Sequence, residues 1–405
     1  MLTTLPYSAA TDPEGSTSEV DGVGLFGHAP PLGVQKWLGL VRPHAQNIGR
    51  RAALLALVGW APLLAFSLLQ SLWLRADHLT PLLWETGLHA RYLAAVPILV
   101  LAEAWCIPQI NATVQSFVTG GIVGPHDHGR FAGALSSTRR LLRSRAAEIA
   151  VFAIAYAIAI ATIVSYQGQP LPTWATSAGL TPVFSPAGWW HMLVSLPLLL
   201  VLILGWLWRL ALWSRLLWLI SRLDLRLVAS HPDHAAGLGF LGQSLRAYAP
   251  VAMAIAAVAA GRSAHLVLTG SGMPTPQLML NVGLAAALVA LFAAPLFVFT
   301  PVLMRAWRRG AALYGALADE VGHAFERKWF DGPKENRRDV LQAVDFSAVN
   351  DLYAVVSNVH SIRFAPLDIR DLIALFAAIL LPFVPVALLA FPLEAIWSAL
   401  RKLLF

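Results

Sequence analysis

Charged residues are scarce in this chain: 13% of its 405 residues are Asp, Glu, Lys or Arg, against 57% that are hydrophobic. A soluble globule of this size exposes more polar surface than such a composition can supply, so the chain belongs in a bilayer. Cysteine is almost absent, and the single Cys106 lies inside an apolar run, which excludes an intrachain disulfide. There is no His-Glu-x-x-His, no cysteine pair, no phosphate loop of the Gly-x-x-x-x-Gly-Lys-Ser/Thr type, no dinucleotide fingerprint and no serine nucleophile motif. No cofactor and no metal are therefore expected. An early apolar run is missing too: the first begins after about fifty mostly polar residues, directly behind Arg50 and Arg51, so a retained anchor is expected rather than a cleaved signal.

What is present is a series of apolar runs, several longer than the roughly 18 residues that mark a spanning helix. Spans are expected at Ala52–Leu74, Tyr92–Ile110, Ala147–Tyr166, Trp189–Trp213, Ala247–Leu268, Leu278–Met304 and Leu372–Phe391. The fold class is all-α: a polytopic membrane protein of about seven transmembrane helices with a small cytoplasmic helical layer. The net charge of +7 would suggest nucleic acid in a soluble protein, but these basic residues flank apolar spans and read as orientation signals, so no nucleic-acid partner is expected. The segments before the first span and after the second, fourth and sixth carry 24 Lys and Arg, the opposite segments carry 4, and Arg262 inside a span completes the 29. That asymmetry places the amino terminus in the cytoplasm.

Residues 1–29 read as a disordered tail and 30–51 as an interfacial segment in which Trp37, Leu38 and Val41 mix with Lys36 and Arg42. Residues 52–304 form a six-helix region with cytoplasmic loops 111–146 and 214–246. Residues 305–370 form a cytoplasmic helical segment, and 371–405 a final span with an amphipathic end, interrupted by Pro382, Pro385 and Pro392. In the cytoplasmic segment Tyr314, Leu317, Val321 and Phe325 recur at helical spacing, as do Leu341, Val344, Ala348, Leu352, Val355 and Val359, with Asp331-Gly332-Pro333 between the two helices. No repeat of transporter type stands out. Juxtamembrane arginines such as Arg139, Arg140, Arg143 and Arg145 suit anionic lipid headgroups; oligomerisation is left open.

"SRLDLRLVASHPDHAAGLGFLG", Ser221 to Gly242, and "HSIRFAPLDIRDLIALFAAILLPFVPVALLAFPLEAI", His360 to Ile396, resemble a family of uncharacterised bacterial integral membrane proteins. "RYLAAVPILVLAEAW" from Arg91 and "WLGLVRP" from Trp37 are similar to the same family, so the resemblance covers most of the chain after the tail. The family pattern runs Asp-Leu-x-Leu, His-Pro-Asp, Gly-Leu-Gly-Phe-Leu; His234 departs from it, standing where a basic residue is usual. The resemblance implies a multi-pass protein of the bacterial inner membrane and implies no activity.

Three groups of residues invite chemistry. The loop "HPDHAAGLGFLG" offers His231, Asp233, Gly237 and Gly239 as ligand candidates; the bland alternative is a turn in which Asp233 caps a helix beginning near Ala235. "GPHDHGR" from Gly124 adds His126, Asp127 and His128, which with His231 would make a metal site, or else a solvated loop. Glu103 lies deep in the second span, with Cys106 and Gln109 following at steps of three, and Arg262 with His265 marks the fifth. Glu103 and Arg262 are expected to approach each other, either as a packing pair or, with His265, along a substrate or ion pathway. The leading functional expectation is a channel or transporter-like protein; an enzyme using the His231/Asp233 loop and a non-catalytic assembly or signalling partner are the alternatives, and the balance leans away from an enzyme. A water-filled cavity reaching Glu103 would favour transport, convergence of His126, His128, His231 and Asp233 would favour a metal site or enzyme, and neither would favour the partner.

Overall fold

The structure, a computed structural model, describes residues 48–74, 77–166, 171–176, 183–270, 272–330, 344–390 and 401. The tail, most of the interfacial segment, the Asp331-Gly332-Pro333 break and most of the amphipathic end lie outside the described residues. Among those described, seven helices are long and apolar enough to cross a membrane: Ile48–Trp73, Thr86–Thr119, Arg145–Ser165, Pro186–Ile220, Gly239–Leu268, Thr275–Trp329 and Ile369–Ala390. They are numbered one to seven below. Each expected span is matched by one of these helices, and most of the helices run a turn or more past the apolar run.

Spans two, four and five form the centre, and three and seven, with the smallest buried share, stand at the periphery. Leu99, Ile110, Trp206, Trp213, Leu245 and Tyr248 are buried between the central three. Outward-facing Leu101, Trp105, Ile160 and Ile373 are exposed as lipid-facing side chains are. Contacts divide the ends of the bundle into an arginine-rich end, where residues 120–145, 215–245, 305–330 and 344–371 gather, and an arginine-poor end formed by 77–91, 171–176, 183–191, 262–270 and 272–275.

Prolines shape how the spans pack. A proline has no N–H, so the carbonyl four residues earlier loses its intrahelical partner, which in a bilayer must be replaced. Pro62 frees Val58, whose carbonyl accepts from the Trp190 indole of span four at 3.2 Å. Pro250 frees Arg246, whose carbonyl accepts from the Trp105 indole of span two at 3.3 Å. Pro197 withholds its N–H from Leu193, whose carbonyl accepts from the Tyr156 hydroxyl of span three at 3.3 Å. These polar sutures join spans one to four, five to two and four to three.

At the arginine-rich end, His128–Leu142 packs Phe131, Ala134, Thr138 and Leu142 inward and leaves Arg140 exposed. Span six continues as one helix to Trp329 and pairs with Val344–His360, around Phe325, Trp329 and Phe346. Of the expected stripes, Tyr314, Val321, Phe325, Leu352, Val355 and Val359 turn inward, with the Tyr314 and Ser230 hydroxyls 3.1 Å apart, while Leu317 and Ala348 are exposed. Span seven breaks into a 3-10 turn at Leu381–Phe383, as its prolines require, and continues over Val384–Ala390.

Candidate functional site

Glu103 does not meet Arg262. Its carboxylate accepts from Arg209 Nη2 of span four at 2.9 Å and from Arg51 Nη2 at the start of span one. Arg209 is additionally stacked over Trp206, its guanidinium carbon 4.7 Å from the ring centre. The three charged residues are all buried, and their net charge is +1, with the Nε of both arginines unpartnered among the described residues. Glu103 is 8% exposed, covered by the two guanidinium groups. Arg262 stands far from Glu103 along the bundle, because its backbone packs against Gly87, which precedes Glu103 in span two by roughly 24 Å at 1.5 Å rise per residue. Thr86 and Gly87 of span two press against Gly261 so closely that a side chain there would strike Ala90, and Arg262, the next residue, is turned outward and exposed. His265 bridges the Trp84 carbonyl (3.2 Å) and the Glu85 carboxylate (3.6 Å), fastening the arginine-poor end of span five and standing apart from Glu103. Cys106 is buried beside the triad, while Gln109 turns back to its own backbone at Trp105.

The loop from His231 is a turn, as the bland alternative supposes, but Asp233 does not cap a helix at Ala235. Residues 235–238 are non-helical; His234 and Ala236 take φ of 53° and 54°, Gly237 95°, and the next helix opens at Gly239. Successive left-handed residues point their amides inward, and Asp233 fills the hollow: Oδ1 accepts from Ala235 (2.9 Å) and Gly237 (3.1 Å), Oδ2 from Gly239 (2.8 Å). Partial burial pushes this carboxyl up, but the three amides and His231, 2.9 Å away, outweigh burial and hold it below the usual carboxylate range. Its oxygens are committed to the turn. Asp127 plays the same part in the neighbouring loop, accepting from the Asp224 amide at 2.8 Å and from Arg130 at 3.0 Å; the Asp224 amide is the main reason its carboxyl sits low, with burial opposing and Arg130 and His126 assisting. Pairing of Val123 with Leu225 locks the two loops together. No group of three or more His, Cys, Asp or Glu able to hold a metal occurs among the described residues, so His126, His128, His231 and Asp233 do not converge.

The most unusual backbone lies nearer the arginine-poor end. Spans two and four each begin with a short α-helical turn, Thr86–His89 and Pro186–Trp190, widen into a π-helix, Ala90–Ala95 and His191–Ser195, and resume as α-helix. The Val96 N–H donates to Arg91 and the Leu196 N–H to His191, five residues back in each case, and Pro97 and Pro197 follow. The two bulges thus sit a hundred positions apart in the chain and face each other. Tyr92 Oη lies 3.1 Å from His191 Nδ1, both residues buried. Gly59 of span one lies against the Tyr92 ring, where a Cβ would come within 2.9 Å of Cδ1, and its carbonyl accepts from Ser195 Oγ at 2.8 Å. Trp60 donates to His89 Nδ1 at 2.9 Å. Sequence reasoning passed over this site, although a signal was there: Leu93-x-x-x-Pro97-x-Leu99 recurs as Leu193-x-x-x-Pro197-x-Leu199.

Architecture and buried charge together define an all-α, multi-pass integral membrane protein. No protein-family profile, no curated protein and no solved structure matches the chain.

Proposed function

We propose that the protein is a transporter-like membrane protein whose first four spans are two copies of one helical hairpin, with the functional centre at the paired bulges and not at Glu103. The observation that carries this reading is the repeated break: the same α-turn, π-bulge and proline at matching places in two returning spans, joined by the Tyr92–His191 contact. Repeats related by an axis along the membrane normal, broken helices and polar groups inside the bilayer are recurring parts of transporter folds, and π-bulges gather at functional sites. In this reading the Arg51–Glu103–Arg209 triad holds spans one, two and four together. The arginine-rich end lies in the cytoplasm of a bacterium, the protein sits in the inner membrane, and anionic headgroups gather at Arg139, Arg140, Arg143 and Arg145. The test is flux in proteoliposomes under glycerol, urea and potassium-salt gradients. Permeation above protein-free vesicles, reduced in His191→Phe and retained in Arg262→Gln, supports the reading. Permeation at the protein-free level for every solute removes it.

A second reading, assembly with another protein or with a second copy, is favoured by one observation. Leu313 and Leu317, one turn apart on the helix that leaves the membrane, are 61% and 44% exposed. Leu313→Glu combined with Leu317→Glu would then reduce the size of the detergent-solubilised particle.

A further inference from the structure

At the arginine-poor end four side chains carry buried polar atoms with no partner among the described residues: Ser67 Oγ, Gln70 Oε1, His78 Nε2 and Trp174 Nε1. Each of these residues is more than nine-tenths buried. One network joins them. Gln70 Nε2 donates to the Thr176 carbonyl at 3.3 Å and His78 Nδ1 lies 3.4 Å from the Thr173 carbonyl, so the short 3-10 turn carrying Trp174 is held at both ends. The His78 amide donates to Ser71 Oγ at 3.0 Å, and that hydroxyl donates to the Ser67 carbonyl at 2.8 Å. Trp174 stands edge-on to His191, ring centres 5.5 Å apart, and His191 reaches Tyr92, so the network runs from the end of span one into the bulge pair.

Buried polar groups are paired as a rule, and a group left alone calls for an explanation such as a bound molecule. Four on one network describe the shape of what is wanted. Gln70 Oε1 offers an acceptor and the Trp174 indole a donor; His78 Nε2, with Nδ1 donating to the Thr173 carbonyl, accepts, and the Ser67 hydroxyl serves either way. Ser67, Gln70 and Trp174 carry no charge, and an anion or cation desolvated among them would find no counter-charge on these three side chains. We infer that Ser67, Gln70, His78 and Trp174 form a binding site, reached from the arginine-poor face, for a small uncharged polar molecule that both donates and accepts hydrogen bonds, of the size of glycerol or urea. As a substrate class this rests on the transport reading; as a site it rests on its own geometry.

The probe is thiol chemistry on the reconstituted full chain in a Cys106→Ser background. Ser67 and Ala155 are equally buried, but a site that admits a small neutral molecule should let Ser67→Cys react with methyl methanethiosulfonate roughly tenfold faster than Ala155→Cys, a control packed among apolar side chains in span three. A sulfonated reagent of the same chemistry should react slowly, molar glycerol or urea should slow the neutral one, and Gln70→Leu should abolish that protection. Gln70→Cys serves as the second reporter where Ser67→Cys does not fold. Reactivity no greater than that of Ala155→Cys at both positions overturns the site. Reactivity without protection by glycerol or urea means ordered water only, and overturns the ligand. Reactivity with protection, but no flux in vesicles, leaves the site standing and sinks the transport reading.

Discussion

Replacing Glu103 by Gln removes the one negative charge shared by Arg51 and Arg209 while keeping nearly the same volume. The carboxylate accepts two charge-assisted hydrogen bonds, one on each oxygen. A glutamine can satisfy only one arginine through its carbonyl, and its NH2 group then faces the other guanidinium, donor against donor. Two buried cations are left without a counter-ion, so the loss should be about 3–5 kcal/mol, the range found when one partner of a buried pair is removed. Arg262→Gln should cost no more than about 0.5 kcal/mol, as for an ordinary surface change, since that side chain is exposed. Reversible unfolding in mixed detergent micelles reads both. In a double-mutant cycle, Glu103→Gln with Arg209→Gln should recover part of the loss, whereas Glu103→Gln with Arg262→Gln should be additive. A cost for Glu103→Gln below about 1 kcal/mol, in the range of a solvent-exposed pair, would refute the burial argument.

Trp190→Phe should cost about 1 kcal/mol by orphaning the Val58 carbonyl, and less in a Pro62→Ala background, where the restored N–H supplies the bond; equal costs in both backgrounds would dismiss the suture. Gly59→Ala should push the Tyr92 ring off His191 and cost about 1–3 kcal/mol, measured by the same unfolding assay. Asp233 has a carboxyl held below its ordinary value, so its contribution is complete at neutral pH and declines as pH falls from about 4 through the lowered folded value. Amide exchange at Ala235, Gly237 and Gly239 should therefore rise in acid relative to the Asp233→Asn variant, in which it should already be fast at pH 7. If the arginine-rich end is cytoplasmic, an impermeant thiol reagent applied to intact cells should label Thr275→Cys and not His323→Cys in a Cys106→Ser background, and the reverse pattern would invert the orientation.

The number and place of the spans were legible because a run of apolar residues needs no partner to declare itself. Contacts were not. Arg51 at a span's edge and Arg209 near another's end read equally well as orientation signals, and only the rotation of three helices shows that both converge on Glu103. Arg262 lies level with Gly87 and so well short of Glu103, because the close seat of Gly261 on Thr86, Gly87 and Ala90 fixes how far span five slides along span two, which periodicity alone does not reveal. Asp233 was correctly tied to a turn. Its cap was misplaced because capping preference describes side chains at a helix start, while here His234, Ala236 and Gly237 delay that start until Gly239. The bulges escaped notice because widening a helix by one residue leaves composition unchanged, and only the matched prolines at 97 and 197 record it.

The triad also orders the birth of the protein. Glu103 follows Arg51 by 52 residues and precedes Arg209 by 106. At synthesis rates of about 5–20 residues per second, Arg209 emerges roughly 5–20 s after Glu103. During that interval the first two spans can enter the bilayer as a neutral hairpin, with one carboxylate matched to one guanidinium. The fourth span arrives carrying a cation it cannot leave in lipid, and the lone pairs still free on Glu103 are where it docks. Assembly of the bundle is thus sequenced by charge: a closed pair first, then a late arginine that recruits its helix to a site already in place.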